Sequence, residues 1–205
     1  MSDSPPPGDP ADRLRAAEQA IRSGDPSRAM PALANLREVP ATDAIPLLLL
    51  GLEQEVFMVR SLSCAGLGVK RSEEGWAALV QALQGDDDAN VRAEAANALA
   101  SYGVERSWPL LRAAFAADGQ WLVRCSILSA LAEQPEMPEA WLAELADLAL
   151  ADADGSVRVG GAEILGRLVH QGAPARAEAA RCRLRQLQAD ADHRVVAAAL
   201  NGLQA

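Results

Sequence analysis

A Val-Arg step with a leucine eight residues after the valine recurs along this chain, and it constrains the fold more than any local motif. Val59-Arg60 leads to Leu67, Val91-Arg92 to Leu99, Val123-Arg124 to Leu131 and Val157-Arg158 to Leu165. A weaker copy, Val195-Val196, leads to Leu203. Successive valines are 32, 32, 34 and 38 residues apart. A period of this size marks a stack of repeated supersecondary units, each too small to bury its apolar face alone.

Composition says that the repeating unit is helical. Half the residues are hydrophobic but only 3% are aromatic, so alanine and leucine supply the apolar mass. Both favour helix, and runs of β-branched residues that would favour a sheet are absent. Numbered from each valine, positions 0, +4 and +8 share one face of a helix, here termed helix B. Positions +7 and +9 are mostly small (Gly66 and Gly68, Ala98 and Ala100, Ala130 and Ala132), which lets neighbouring helices approach closely; Ile164 and Gln204 depart from this. A preceding helix A carries Trp76, Trp108 and Trp141 at 15, 15 and 16 residues before the valines. Leu79 and Leu83, Leu111 and Phe115, and Leu145 and Leu148 continue that stripe, so the tryptophans are expected in the core.

Taken in order, residues 1–9 read as a flexible Pro-rich tail and residues 10–205 as one helical array. Residues 10–22 and 27–38 form an irregular first helical pair, separated by the stop signal Ser23-Gly24-Asp25-Pro26. Five regular units follow over 41–72, 73–104, 105–138, 139–174 and 175–205, with turn residues such as Pro40, Gly103, Pro135 and Gly172 at their edges. The fold class is all-α, a right-handed α-solenoid of helix pairs.

Charge and motif content narrow the function. The net charge of −9 argues against general nucleic-acid binding, which needs a basic footprint. Cys64, Cys125 and Cys182 form no C-x-x-C pair, so a reducing, cytoplasmic setting is expected. The polar, proline-rich start is not a signal peptide, and the most apolar run, residues 45–52, is too short to span a bilayer. His170 and His193 stand alone, so no metal site is expected. Phosphate-loop, dinucleotide and G-x-S-x-G fingerprints are missing from the sequence.

Arg60, Arg92, Arg124 and Arg158 share one repeat position, and the turns before helix B are acidic, with Asp86-Asp87-Asp88, Asp118, Asp152 and Asp154. The expected role is structural: a guanidinium fork bonding turn carboxylates and carbonyls, with acids capping the helix starts. The alternative is a phosphate-binding row. Candidate ligand or partner residues lie on the face of helix B expected to line the groove, at +2, +3 and +6. They are Glu94, Asn97, Ser129 and Glu163. Phe57 and Trp121 join them, each two residues before its valine in the turn leading into helix B. Packing under that turn and an exposed binding surface are the two readings open for this pair. Cys64 and Cys125 read as small buried hydrophobes, with Cys125 at +2 an alternative groove residue.

The paired helices, with Asp88-Ala89-Asn90-Val91-Arg92 and Asp154-Gly155-Ser156-Val157-Arg158 opening the second, resemble HEAT repeats over about residues 41–205. The segments Phe57-Met58-Val59-Arg60-Ser61 through Gly66-Leu67-Gly68, and Trp121-Leu122-Val123-Arg124, resemble more narrowly the cyanobacterial phycobilin lyases of the E/F type. That resemblance implies a lyase subunit or chaperone in attachment of linear tetrapyrroles to phycobiliproteins, or in their removal. The implied partners are a phycobiliprotein subunit and a second lyase chain, with a bilin as ligand and no tightly held cofactor. It places no catalytic residue on this sequence, and the His-Glu metal pairs of HEAT-repeat hydroxylases are absent. A plain protein–protein scaffold is the alternative; a nucleic-acid-binding HEAT-like glycosylase is disfavoured by the acidic balance.

Overall fold

The structure, a computed structural model, describes residues 9–204. Of the expected tail, residues 1–9, the first eight lie outside these; the ninth, Asp9, is the N-cap of the first helix, its carboxylate accepting the Ala11 amide. The described residues are all-α: α1 (Pro10–Arg22), α2 (Pro26–Asn35) with a 3-10 turn (Leu36–Glu38), α3 (Ala41–Leu52), α4 (Phe57–Lys70), α5 (Glu73–Gly85), α6 (Ala89–Ala100), α7 (Val104–Ala117), α8 (Trp121–Ala132), α9 (Glu139–Leu150), α10 (Gly155–Gln171), α11 (Pro174–Leu187) and α12 (His193–Leu203). Helix A of successive repeats is α3, α5, α7, α9 and α11; helix B is α4, α6, α8, α10 and α12. The fold class is thus an all-α solenoid, and its helices fall in two compact units of three pairs each, Met1–Tyr102 and Gly103–Ala205.

In the first unit α1, α3 and α5 form one layer and α2, α4 and α6 the other, with α4 packed against both α2 and α6. The second unit repeats this with α7, α9 and α11 against α8, α10 and α12. The core is the repeat register itself. Val59, Val91, Val123, Val157 and Val195 are fully buried, as are Leu67, Leu99 and Leu131. The small positions work as close contacts. A Cβ added to Gly68 would lie 2.9 Å from the Ala98 Cα, and one on Gly166 3.1 Å from the Gly202 Cα. Both contacts join +9 of one helix B to +7 of the next, so small residues set the spacing between B helices.

The tryptophan stripe departs from expectation in degree. Trp108 is buried, but Trp76 and Trp141 are half-buried. Trp108 stacks on Trp141 with ring centroids 5.3 Å apart, and Trp76 meets Tyr102 edge-on at 5.3 Å. The reason is position: these residues sit near the starts of α5, α7 and α9, where one side of the ring reaches the layer edge. Tyr102 ties its helix pair to the preceding one, donating to the Leu67 carbonyl at 3.1 Å and accepting the Ser72 amide.

The acidic turns divide their work by position. Asp88, Asp154 and Asp192, three residues before the valine, cap α6, α10 and α12 by accepting the amide two residues on. Asp86, Asp152 and Asp190, five before the valine, accept the bidentate fork of the preceding unit's arginine. Arg60 donates to Asp86 at 2.8 and 2.9 Å, Arg124 to Asp152 at 2.6 and 3.0 Å, and Arg158 to Asp190 at 3.0 and 2.9 Å. Each arginine also donates to carbonyls of its own turn: Arg60 to Gln54 and Glu55, Arg92 to Asp86 and Asp87, Arg124 to Asp118, Arg158 to Asp152 and Ala153. Arg60, Arg124 and Arg158 are therefore clamps between successive turns, and Arg92 braces its own turn.

These clamps tie stability to pH. Burial alone would raise the Asp86 carboxyl, but hydrogen bonds from Arg60 and the Asp88 amide outweigh it and hold it below its usual value. Asp190 is lowered by Arg158 and the Asp192 amide, and Asp192 is lowered to about 2 by Arg194, through its side chain and its amide. A carboxyl depressed on folding contributes stability that is complete above its unfolded pKa of about 3.9 and is lost as pH falls through the folded value. Thermal melts followed by circular dichroism should be level between pH 6 and 5 and drop between about 4 and about 2. Asp86→Asn should flatten that drop; an unchanged acid limb would sink this account.

Candidate functional site

The outer face of helix B is where the predicted residues fall, and each unit holds three of them. Phe57, Glu94 and Asn97 belong to the first unit, and Trp121, Ser129 and Glu163 to the second. Phe57 and Trp121 are not in turns. They are the first residues of α4 and α8, whose N-caps, Val56 and Gln120, make no side-chain capping bond. With the chain already helical there, the aromatic side chains project outward, 38% and 47% exposed. Packing beneath a turn is thereby set aside.

Glu94 is half-buried on α6, one turn before the exposed Asn97. Ser129 on α8 and Glu163 on α10 are both exposed at +6 of adjacent B helices, α8 and α10 being in contact. Trp121 and Glu163 are not brought together along the stack: eight helical positions, about 12 Å of rise, separate their levels. Each unit thus carries one exposed aromatic, one carboxylate and one small polar side chain on its B helices.

Of the cysteines, Cys64 is placed as a small buried hydrophobe, Cys125 only partly so, and Cys182 is exposed. Cys64 is fully buried, and burial pushes its thiol up to about 12, with Glu94 adding to the effect. Cys125 is half-buried and raised chiefly by burial, then by Asp154 and Asp152. Neither is poised as a thiolate nucleophile at neutral pH. Among the described residues no cluster of His, Cys, Asp or Glu could hold a metal ion.

Three features escaped sequence reasoning. Met58 and Val69 on α4 are 42% and 57% exposed, and with the half-buried Leu62 and Ala65 they make one apolar line on that helix. The signal was available as positions −1, +3, +6 and +10 around Val59. Lys70, the only lysine, donates to the carbonyls of Arg37 and Val39 at 2.8 and 2.6 Å, closing the 3-10 turn against α4. Beside it a groove of about 310 Å³ opens between α2 and α4, lined by Leu33, Leu36, Leu48, Leu62, Ala65 and Val69.

Comparison with known proteins supports the repeat over part of the chain. Residues 45–132 match the HEAT repeats family. That span runs from α3 through α8 and so contains Phe57, Glu94, Asn97, Trp121 and Ser129 but not Glu163. Among curated proteins, none matches the sequence. Human deoxyhypusine hydroxylase in complex with glycerol is similar in structure at 16% identity and a TM-score of 0.48, over 94% of this chain and 95% of that one. The complex of CpcE and CpcF of phycocyanin lyase from Nostoc sp. PCC7120 is similar at 20% identity and a TM-score of 0.42, over 94% of this chain and 98% of that one. At these scores neither similarity carries a functional argument. No helix among the described residues is long and apolar enough to cross a membrane.

Proposed function

We propose that this chain binds a protein partner on its helix B face and serves, like E/F-type phycobilin lyases, as a subunit or chaperone in attaching linear tetrapyrroles to phycobiliproteins. The observation that carries the reading is the placement of Phe57 and Trp121. They stand at one repeat position, exposed, in the two segments whose residues resemble that family. A large exposed aromatic at a helix start offers a flat apolar surface to a conjugated ligand or a partner side chain. Glu94 and Glu163 supply carboxylates on the same face, suited to pairing with the pyrrole nitrogens of a bilin or to donating a proton as a general acid.

Mixing the purified protein with a bilin should give a red-shifted, sharpened absorbance band. Co-expression with phycobiliprotein subunits and bilin synthesis should yield covalent colour. Trp121→Ala should weaken bilin or subunit binding roughly 5- to 30-fold, about 1–2 kcal/mol for a truncated interface aromatic, while leaving the helical circular dichroism intact. Loss of the helical signal would instead make Trp121 part of the fold.

The second reading, a scaffold without ligand chemistry, is favoured by one observation. The most distinctive recurring residues, the arginines and tryptophans, are absorbed by contacts within the stack. No spectral change with bilin, together with no chromophore transfer, would leave that reading standing.

A further inference from the structure

The line Met58, Leu62, Ala65 and Val69 on α4 has no counterpart on the adjacent B helix of its own unit. At the same repeat positions α6 presents Asn90, Glu94, Asn97 and Ser101. On the other side of α4, the groove beside α2 is edged by Arg37, which is exposed, and Lys70. An apolar seam therefore runs between an edge on α6 that carries the Glu94 carboxylate and two amides, with Arg71 beyond it at the Ser101 carbonyl, and a cationic edge at α2, in a chain whose net charge is −9. The 12 residues from Met58 to Val69 give the seam a length of about 18 Å.

We propose that this seam is the docking site for one amphipathic helix of a partner protein. That helix has apolar side chains at three- and four-residue spacing, Lys or Arg along its edge toward Glu94, and Asp or Glu along its edge toward Arg37. The dimensions select a helix. A groove of about 310 Å³ sits at the lower end of small-molecule pockets, which span roughly 300–1,000 Å³. It continues onto an open helical stripe that only an extended partner would cover. The opposed charges on its two edges fix the direction in which that helix lies, because reversal brings like charges together. The site deepens the reading of the chain as a partner-binding protein but is independent of bilin chemistry.

The test uses a display library of 18-residue helix-forming peptides selected against the full-length protein. Affinities of enriched peptides are then measured by fluorescence anisotropy on the wild type, Val69→Asp, Glu94→Lys and, as a control on α11 of the second unit, Ala179→Asp. Enriched peptides should carry the apolar spacing with Lys or Arg on one edge. Binding should weaken at least tenfold in Val69→Asp and remain in Ala179→Asp, and a selection repeated on Glu94→Lys should enrich acidic residues at that edge. Circular dichroism checks that each variant is folded, as expected for Val69 and Ala179, which are exposed. Absence of the pattern, or affinity unchanged by Val69→Asp, overturns the proposal. So does a wild-type dimer in sedimentation that Val69→Asp dissolves, since a second copy would then cover the seam. A bilin that fails to shift its absorbance leaves this result untouched.

Discussion

Leu131→Ala should lower the unfolding free energy by about 2–5 kcal/mol, the range for emptying a fully buried leucine site. Leu131 is the +8 residue of α8 and is 0% exposed. Its neighbours Ala130 and Leu128 are also buried, and the backbone is fixed by the helix, so the cavity has little means of collapse. The same substitution at Leu203, the +8 residue of the terminal helix α12, should cause less than half that loss, because Leu203 is only half-buried. Urea denaturation of the two variants checks the difference. Equal losses would mean that the +8 leucine does not act through burial. Repeat stacks need not unfold in one step, so the comparison is made with two probes, helical circular dichroism and tryptophan fluorescence.

Arg60→Ala should destabilise the protein by about 2–4 kcal/mol. An exposed ion pair contributes about 0–1 kcal/mol and a broken buried pair about 3–5, and this site lies between them, nearer the second. The side chains of Arg60 and Asp86 are 13% and 10% exposed. Removing the guanidinium strips the fork from the Asp86 carboxylate, which keeps the Asp88 amide, and a donor from the Gln54 and Glu55 carbonyls, at a site that water reaches only in part. Arg60→Lys should recover little of the loss, since an ammonium cannot span the two carboxylate oxygens and the turn carbonyls together. Thermal melts at pH 7 measure both variants. Full rescue by lysine would reduce the clamp to simple charge pairing.

These two residue classes show why so much of the fold was legible in the sequence. A repeat states the same physical requirement several times over. The 0, +4 and +8 register, the small +7 and +9 positions and the arginine at +1 each recur, and each recurrence points to one contact type. The helix starts at Ala41, Glu73 and Glu139 coincide with the starts of the repeat units read from the turn chemistry. The turn acids were visible as a group. Their division into caps and arginine acceptors was not, because the carboxylates that accept from Arg60, Arg124 and Arg158 lie in the following repeat, 26 to 32 residues on.

The candidate site was less legible, and the reason is geometric. Periodicity identifies a helix face but not how much of it neighbouring helices cover. It placed Phe57 and Trp121 in turns, while the helices begin on them and turn their rings outward. It gave +3 and +6 of helix B as groove positions without joining their α4 occupants, Leu62 and Ala65, to Met58 and Val69, because an apolar line on a helix reads the same whether packed or open.

By itself, then, the sequence determined an all-α stack of helix pairs, its register, its repeat boundaries and its arginine clamps, since those follow from local spacing and from chemistry repeated along the array. Only the tertiary structure decided which turn acid meets which arginine, which tryptophan is covered, and that α4 carries its apolar line to the surface beside a cationic edge. Those facts depend on which surfaces the neighbouring helices leave uncovered, and spacing along the chain does not encode that.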